Sequence, residues 1–210
     1  MPSASGHRVG PPPPAERRRL ISKLMQEPPD AARFLLGQLL VREVGPRTIV
    51  VRIVETEAYL GLGDAAAHAF RGRTARTEPL WGPPGTLYVY FIYGMHHCLN
   101  IAVEPAGRAG CVLIRAAEPL PGSALGPEDC RGPGRLCRAL AIDTRLSGGS
   151  GLTAGSGLYL REGTPPARVG VTTRIGIQRA ADQPLRFYDE ASAAVSRHPA
   201  ISGKRRRGTP

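Results

Sequence analysis

Between residues 39 and 116 the chain is a series of short runs of β-branched, aromatic and alternating residues, separated by turns that contain glycine, and this pattern constrains the fold most. Such runs form strands, and connections this tight join them antiparallel. Residues 39–44 and 48–59 flank Gly45-Pro46-Arg47 and read as a hairpin. Residues 87–93 and 97–103 lie either side of Gly94, and 111–116 follow. Residues 158–160 and 168–172 are later short strands. Helical signals are few. Residues 30–37 open on a capping Asp30 and close on Gly37, and residues 133–141 start at a proline with apolar spacing from Leu136 to Leu140. Residues 64–68 have the length of one helical turn. The alternation of strand and helix that builds a parallel sheet is missing. The expected fold class is α+β: a single domain around a curved antiparallel β-sheet with flanking helices and a protruding β-hairpin.

A length of 210 residues suits one domain with a substantial core. Residues 1–19 are expected to be a disordered N-terminal segment and 20–196 the folded domain. Residues 197–210, with Lys204-Arg205-Arg206-Arg207, are expected to be a basic flexible tail. Lysine and arginine number 28 against 17 acids, a formal charge of +11, which favours a polyanionic partner. Cys98, Cys111, Cys130 and Cys137 form no C-x-x-C pair and have no histidine at zinc-ligand spacing, so no metal is expected. No signal peptide opens the chain and no apolar run reaches membrane-spanning length. A cytoplasmic protein with reduced thiols is the expectation.

Acids and phenols set into apolar strands need a use, because buried polar groups cost free energy unless paired. On a regular pleat Glu55, Glu57 and Tyr59 share one face, the two carboxylates about 6–7 Å apart. One could be structural, paired to an arginine such as Arg52 or Arg115; the other could polarise water next to a glycosidic bond, whose transition state is oxocarbenium-like. The plain alternative is a pair of loop or edge charges. Tyr88 and Tyr90 share a face of the next strand, and Tyr93 sits beside Gly94 at a hairpin tip, where a bulky ring is exposed. Asn100 lies inside an apolar strand and must find partners. His68 has an equally plain reading as a satisfied histidine. Arginines surround these segments, and Gly132-Pro133-Gly134-Arg135 opens a helix.

Taken together, the blocks Phe34-Leu35-Leu36-Gly37-Gln38, Arg52-Ile53-Val54-Glu55-Thr56-Glu57-Ala58-Tyr59, Asp64-Ala65-Ala66-Ala67-His68, Pro84-Gly85-Thr86-Leu87-Tyr88-Val89-Tyr90-Phe91-Ile92-Tyr93-Gly94-Met95, Cys98-Leu99-Asn100, Leu113-Ile114-Arg115-Ala116-Ala117-Glu118-Pro119 and Arg168-Val169-Gly170-Val171 resemble the alkyladenine (3-methyladenine) DNA glycosylase family over roughly residues 30–190. The resemblance implies a monofunctional hydrolase without metal or organic cofactor. Its substrate would be double-stranded DNA with an alkylated or deaminated purine: 3-methyladenine, hypoxanthine or ethenoadenine. Tyr59 and Tyr90 match the rings that stack on the flipped base, with His68 closing the pocket. Glu57 matches the acid that activates water, helped by Arg115 and the backbone carbonyl of Val169. Asn100 matches a residue that rejects guanine, and Tyr93 the wedge that fills the vacated place in the duplex. Arg73, Arg131, Gly132 and Arg135 would meet the DNA backbone, and a monomer is expected. Two segments depart from the family pattern: Arg76-Thr77-Glu78-Pro79-Leu80-Trp81, and residues 188–196, which lack the usual Gly-Ser-Pro. A non-catalytic nucleic-acid-binding domain and a carbohydrate hydrolase are the rival readings. The first sits poorly with Glu57, His68 and Asn100 in their family positions, the second with the positive charge.

Overall fold

A computed structural model describes residues 9–196 of the chain. Its strands are β1 (Leu39–Val44), β2 (Arg47–Tyr59), β3 (Leu87–Ile92), β4 (His96–Ala102), β5 (Cys111–Pro119), β6 (Leu158–Arg161), β7 (Val169–Thr172) and β8 (Arg186–Asp189). They form a single antiparallel sheet in the order β3-β4-β5-β2-β1-β6, with β8 and β7 branching from β2. Helices α1 (Pro14–Leu24), α2 (Pro28–Leu35) and α3 (Pro133–Ala139) complete an α+β domain, as the strand pattern implies.

Strand β2 organises the rest. Its first half pairs with β1 from Arg47 to Arg52, and residues Glu55–Glu57 pair on the same side with β8. The opposite edge pairs with β5 from Val51 to Tyr59, with register shifts on either side of Glu55. A strand paired along both edges has no open edge, so Ile53 to Ala58 are all buried. The main core gathers Leu20 and Leu24 of α1, Ala31 and Leu35 of α2, and Leu136 beside α3's Cys137 against Ile53, Leu99, Val112 and Ile114 of the sheet. Thr56 Oγ1 donates to the Ala32 carbonyl at 2.9 Å and fastens α2 to β2. A smaller cluster of Ala69, Leu80, Tyr88, Ala109 and Cys111 packs beside Tyr59 and Tyr90.

Helix α1 starts at Pro14, inside the segment expected to be disordered. Its Leu20 and Leu24, one turn apart, are buried. Glu16 accepts from Arg161 Nε at 2.9 Å and from the Glu162 N–H at 2.7 Å. Residues 14–19 therefore belong to the domain. The arginine run Arg17-Arg18-Arg19 conceals an amphipathic helix whose proline at N1 was its start signal. Proline also overrides the expected cap at α2, which opens at Pro28 rather than at Asp30. Residues 64–67 form a turn between two 3₁₀ segments, Gly61–Gly63 and His68–Arg71, the second of which takes His68. Strand β8 went unanticipated because it is four residues long and half polar. The basic run 204–207, and the tail expectation with it, lies outside the described residues.

Gly37 shows why one block carries a glycine. Its φ is 84°, its N–H donates to the Ile53 carbonyl at 2.8 Å, and a Cβ there would overlap the Thr164 carbonyl oxygen. Both the backbone conformation and the packing of backbone on backbone exclude a side chain. Gly37→Ala is expected to lower unfolding free energy by more than about 1 kcal/mol. Urea unfolding monitored by circular dichroism measures this, and an unchanged midpoint would contradict it.

Candidate active site

Four adjacent strands deliver the polar side chains to one place. Tyr59 ends β2, Tyr88 and Tyr90 alternate on β3, Asn100 is on β4 and Arg115 on β5, and alternation sends these to a common face. With His68, the first residue of its 3₁₀ turn, and residues 175–177, they line a cavity of about 430 Å³. That is a volume suited to a small planar ligand. The His68 and Tyr90 rings meet edge to face with centroids 4.4 Å apart, and Tyr88 and Tyr90 lie 5.6 Å apart. His68 Nδ1 and the Tyr88 hydroxyl share a hydrogen bond of 2.9 Å. Asn100 Nδ2 donates one of its two N–H groups to the Tyr88 carbonyl at 3.3 Å, and its Oδ1 accepts from the Cys111 thiol at 3.9 Å.

The two acids differ in how fully their oxygens are used. Both are completely buried. Glu55 accepts from Arg186 Nε at 2.6 Å, Arg115 Nε at 3.3 Å, the Ser196 N–H at 2.7 Å and the Ser196 hydroxyl at 2.6 Å. Four donors fill a carboxylate's roughly four acceptor positions. Glu57 accepts from the Ile175 N–H at 2.7 Å and the Tyr59 hydroxyl at 3.0 Å, with Arg115 Nη1 at 3.3 Å. Three donors leave one position free among the described residues, and all three belong to residues that line the cavity. The expectation that one acid is structural therefore falls on Glu55, with Arg115 and Arg186 as partners. Arg52 pairs instead with Glu118 and Asp189. Burial pulls the Arg115 guanidinium down in pKa, but the charges of Glu57 and Glu55 outweigh it and push it above the ordinary arginine value.

At the rim, the turn between β3 and β4 puts Tyr93 and Gly94 at φ of 55° and 66°, closed by the Met95 N–H on the Ile92 carbonyl. These angles suit a hairpin's twist but are uncommon for tyrosine. Tyr93 is 77% exposed, and Phe91 and Met95 beside it are exposed too. An apolar tip held in a strained turn points to a contact made outside the chain.

Other expected residues stand further from the cavity. Val169 lies on β7, half-buried against the core, and does not line the cavity. Arg73 is exposed and forms a fork with Glu78. Arg131 is mostly buried, paired with Glu128 and donating to the Ala193 carbonyl, while Arg135 is exposed near the same glutamate. Gly132, at φ 117°, precedes α3, whose Pro133 and Gly134 line the cavity. In the first departing segment Thr77 is buried and exchanges hydrogen bonds with Thr74. In the second, Asp189 is buried against Arg52, Ser196 holds Glu55, and Glu190 lies near Arg168, so this stretch braces the site from behind. Sequence reasoning missed Ile175, whose contribution is a backbone N–H and leaves no residue-type signal, and the cavity thiols of Cys98 and Cys111. Burial pushes the pKa of the Cys111 thiol up to about 12. No group of ligands for a metal is present among the described residues, and no described helix is long and apolar enough to cross a membrane.

Burial, with the charge of Arg76 nearby, holds His68 below the ordinary histidine value of 6.5. Its proton therefore binds more weakly in the folded chain than in the unfolded one. Its contribution to stability is complete above about pH 6.5 and is lost as pH falls toward the folded pKa. NMR titration of the imidazole is expected to show a midpoint below 6.5; a midpoint above it would contradict the environment described.

Residues 22–193 match the profile of the family described as methylpurine-DNA glycosylase. A relative from Methanocella arvoryzae is 43% identical over 80% of this chain and 90% of its own length. One from Synechococcus elongatus is 49% identical over 83% and 88%, and one from Myxococcus xanthus 47% identical over 80% and 88%. All three carry the provisional name 3-methyladenine DNA glycosylase.

Proposed function

The chain belongs to the methylpurine-DNA glycosylase family and is a hydrolase of N-glycosyl bonds in DNA, and from that premise we propose that it flips a damaged purine into the cavity and releases it with water activated by Glu57. The observation that carries this reading is the free acceptor position on Glu57, which does not itself line the cavity but is held by three residues that do, Tyr59, Arg115 and Ile175. A water donating one proton to that position would be oriented for attack, and the carboxylate could take the proton as the bond breaks. Glu55, with its acceptor positions filled, is left to hold Arg115. Arg115 in turn steadies Glu57 and provides a fixed positive charge at the cavity wall.

Flipping costs a few kcal/mol, less for a damaged or mispaired base, and stacking returns about 1–3 kcal/mol per base. Tyr59 and Tyr90 supply the rings, with His68 set against Tyr90 as the edge of the pocket. Cationic lesions such as 3-methyladenine suit electron-rich rings and leave readily, and hypoxanthine and ethenoadenine are the neutral candidates. Asn100, whose amide donates to the Tyr88 carbonyl, would reject a purine with a 2-amino group. Tyr93 would occupy the gap left in the duplex. Arg73, Arg131, Gly132 and Arg135 remain the candidate backbone contacts, with Arg73 and Arg135 the accessible arginines. The Val169 carbonyl, on β7 and outside the cavity lining, would help to hold that water. The protein would act as a monomer in the cytoplasm.

Glu57→Gln is expected to bind a hypoxanthine or methylated-purine duplex like the parent while its single-turnover base release falls by at least about 100-fold. Alkali cleavage of the abasic product gives the rate, and parental turnover would remove Glu57 from this role. Tyr93→Gly relieves the positive-φ strain, so thermal stability should hold or rise. The same change should weaken binding to lesion duplex about tenfold, equivalent to about 1.4 kcal/mol, in a fluorescence anisotropy titration. Unchanged lesion affinity would discount the wedge.

A further inference from the structure

Arg174 and Asp64 form an ion pair with no exposed surface on either side chain, and nothing in the chemistry above uses it. The contact is a fork: Nη1 lies 2.5 Å from Asp64 Oδ2 and Nη2 lies 3.0 Å from Oδ1. The same guanidinium donates to the Ala58 carbonyl at 3.0 Å and to the Ala180 carbonyl at 3.3 Å. Its carbon stands 4.7 Å from the centroid of the Tyr59 ring, in the range of a cation–π contact. Because Arg174 is wholly buried and does not line the cavity while Tyr59 does, the guanidinium backs the ring from behind.

The pair joins three walls of the cavity. Asp64 also accepts from the N–H groups of Leu60 at 3.1 Å and Ala66 at 3.0 Å, which shapes the turn leading to His68. Burial alone would raise the Asp64 carboxyl, yet the Arg174 fork and these two N–H groups hold it below its ordinary value. On the other side, Arg174 immediately precedes Ile175, whose N–H donates to Glu57 and which lines the cavity with Gly176 and Ile177. Fixing Arg174 fixes the strap, and the strap presents that N–H to the acid.

We infer that Arg174, held by Asp64, is a positioning residue for the reaction: it sets the plane of Tyr59 and the approach of the 175–177 strap to Glu57 at once. This assignment rests on the function proposed above. Arg174 touches neither DNA nor the water; it acts through Tyr59 and Ile175. A displacement of about 1 Å in such a constellation can cost about 100-fold in rate.

The test compares Arg174→Met, Arg174→Lys and Asp64→Asn with the parent, using a duplex with one hypoxanthine, a duplex with one ethenoadenine, and an undamaged duplex. Arg174→Met is expected to bind undamaged duplex like the parent, since the residue is buried. Its single-turnover release of hypoxanthine, normalised to the folded fraction from circular dichroism, should fall by about 100-fold. Its ethenoadenine fluorescence change on binding, which reports seating of the base without any bond being broken, should be largely lost. Arg174→Lys, which keeps the charge but not the fork, should recover part of both. If Arg174→Met does not fold, Arg174→Lys and Asp64→Asn carry the test, each with an expected rate loss of about tenfold. Parental normalised rates together with a parental fluorescence change in these variants would overturn the assignment, as would losses that only follow the folded fraction. A parent that releases no base from either lesion would count against the proposed function, while the fluorescence comparison would still decide the role of Arg174.

Discussion

Arg115 is the constraint on which the rest of the site depends. It is one guanidinium, nearly buried, between two carboxylates with no exposed surface. Taking two like charges into a protein interior costs several kcal/mol each unless opposite charge and hydrogen bonds compensate. Here Arg115 serves both acids and Arg186 serves Glu55 alone, so two cations face two anions. The balance is local, and the branch in the sheet creates it. β8 joins β2 at Glu55–Glu57 and brings in Arg186, while the chain beyond β8 returns with Ser196. Without that branch Glu55 would lack the donors that make it structural, and the distinction between the two acids would vanish.

That distinction gives the site its direction. Glu55 is saturated from behind, so it anchors; Glu57 is approached by donors that themselves form the cavity wall, so whatever enters the cavity meets it through Tyr59, Arg115 and Ile175. Tyr59 thereby has two attachments, its hydroxyl to the acid and its ring to the wall. Burial, with the charge of Glu57 next, drives its phenol well above the ordinary tyrosine value, so the hydroxyl stays a donor across the working pH range. In the proposed reaction, a platform that also donates to the acid would couple the seating of a planar guest to the geometry of that acid.

Much of this was legible in the sequence, for physical reasons. Alternation along residues 48–59 and 87–116 determined the antiparallel sheet, and the placing of Glu57 and Tyr59 on one face follows from a pleat that the register shifts around Glu55 do not undo. The hairpin tip was readable from Gly94 next to a tyrosine. What was not legible depends on chain returning from far away. Arg186, Ser196 and Ile175 reach the acids across more than a hundred residues, and one of them contributes only a backbone N–H. Helix α1 was hidden by three arginines between its apolar positions, and α2 began at a proline two residues before the aspartate that resembled its cap. The arginines expected on DNA illustrate another limit. Composition counts charge, but only the folded chain shows that Arg131 is committed to Glu128 and to the Ala193 carbonyl.

The central claim is that Glu57 keeps one acceptor position for a water aimed at the sugar of a purine seated between Tyr59 and Tyr90. A crystal structure of the protein on a duplex carrying a 2′-fluoro ethenoadenosine, whose glycosidic bond resists hydrolysis, tests this directly. The account predicts the base between those two rings, Tyr93 in the gap of the duplex, and a single water bridging Glu57 and the anomeric carbon. A base bound elsewhere, or a seated base with no water touching Glu57, would contradict it.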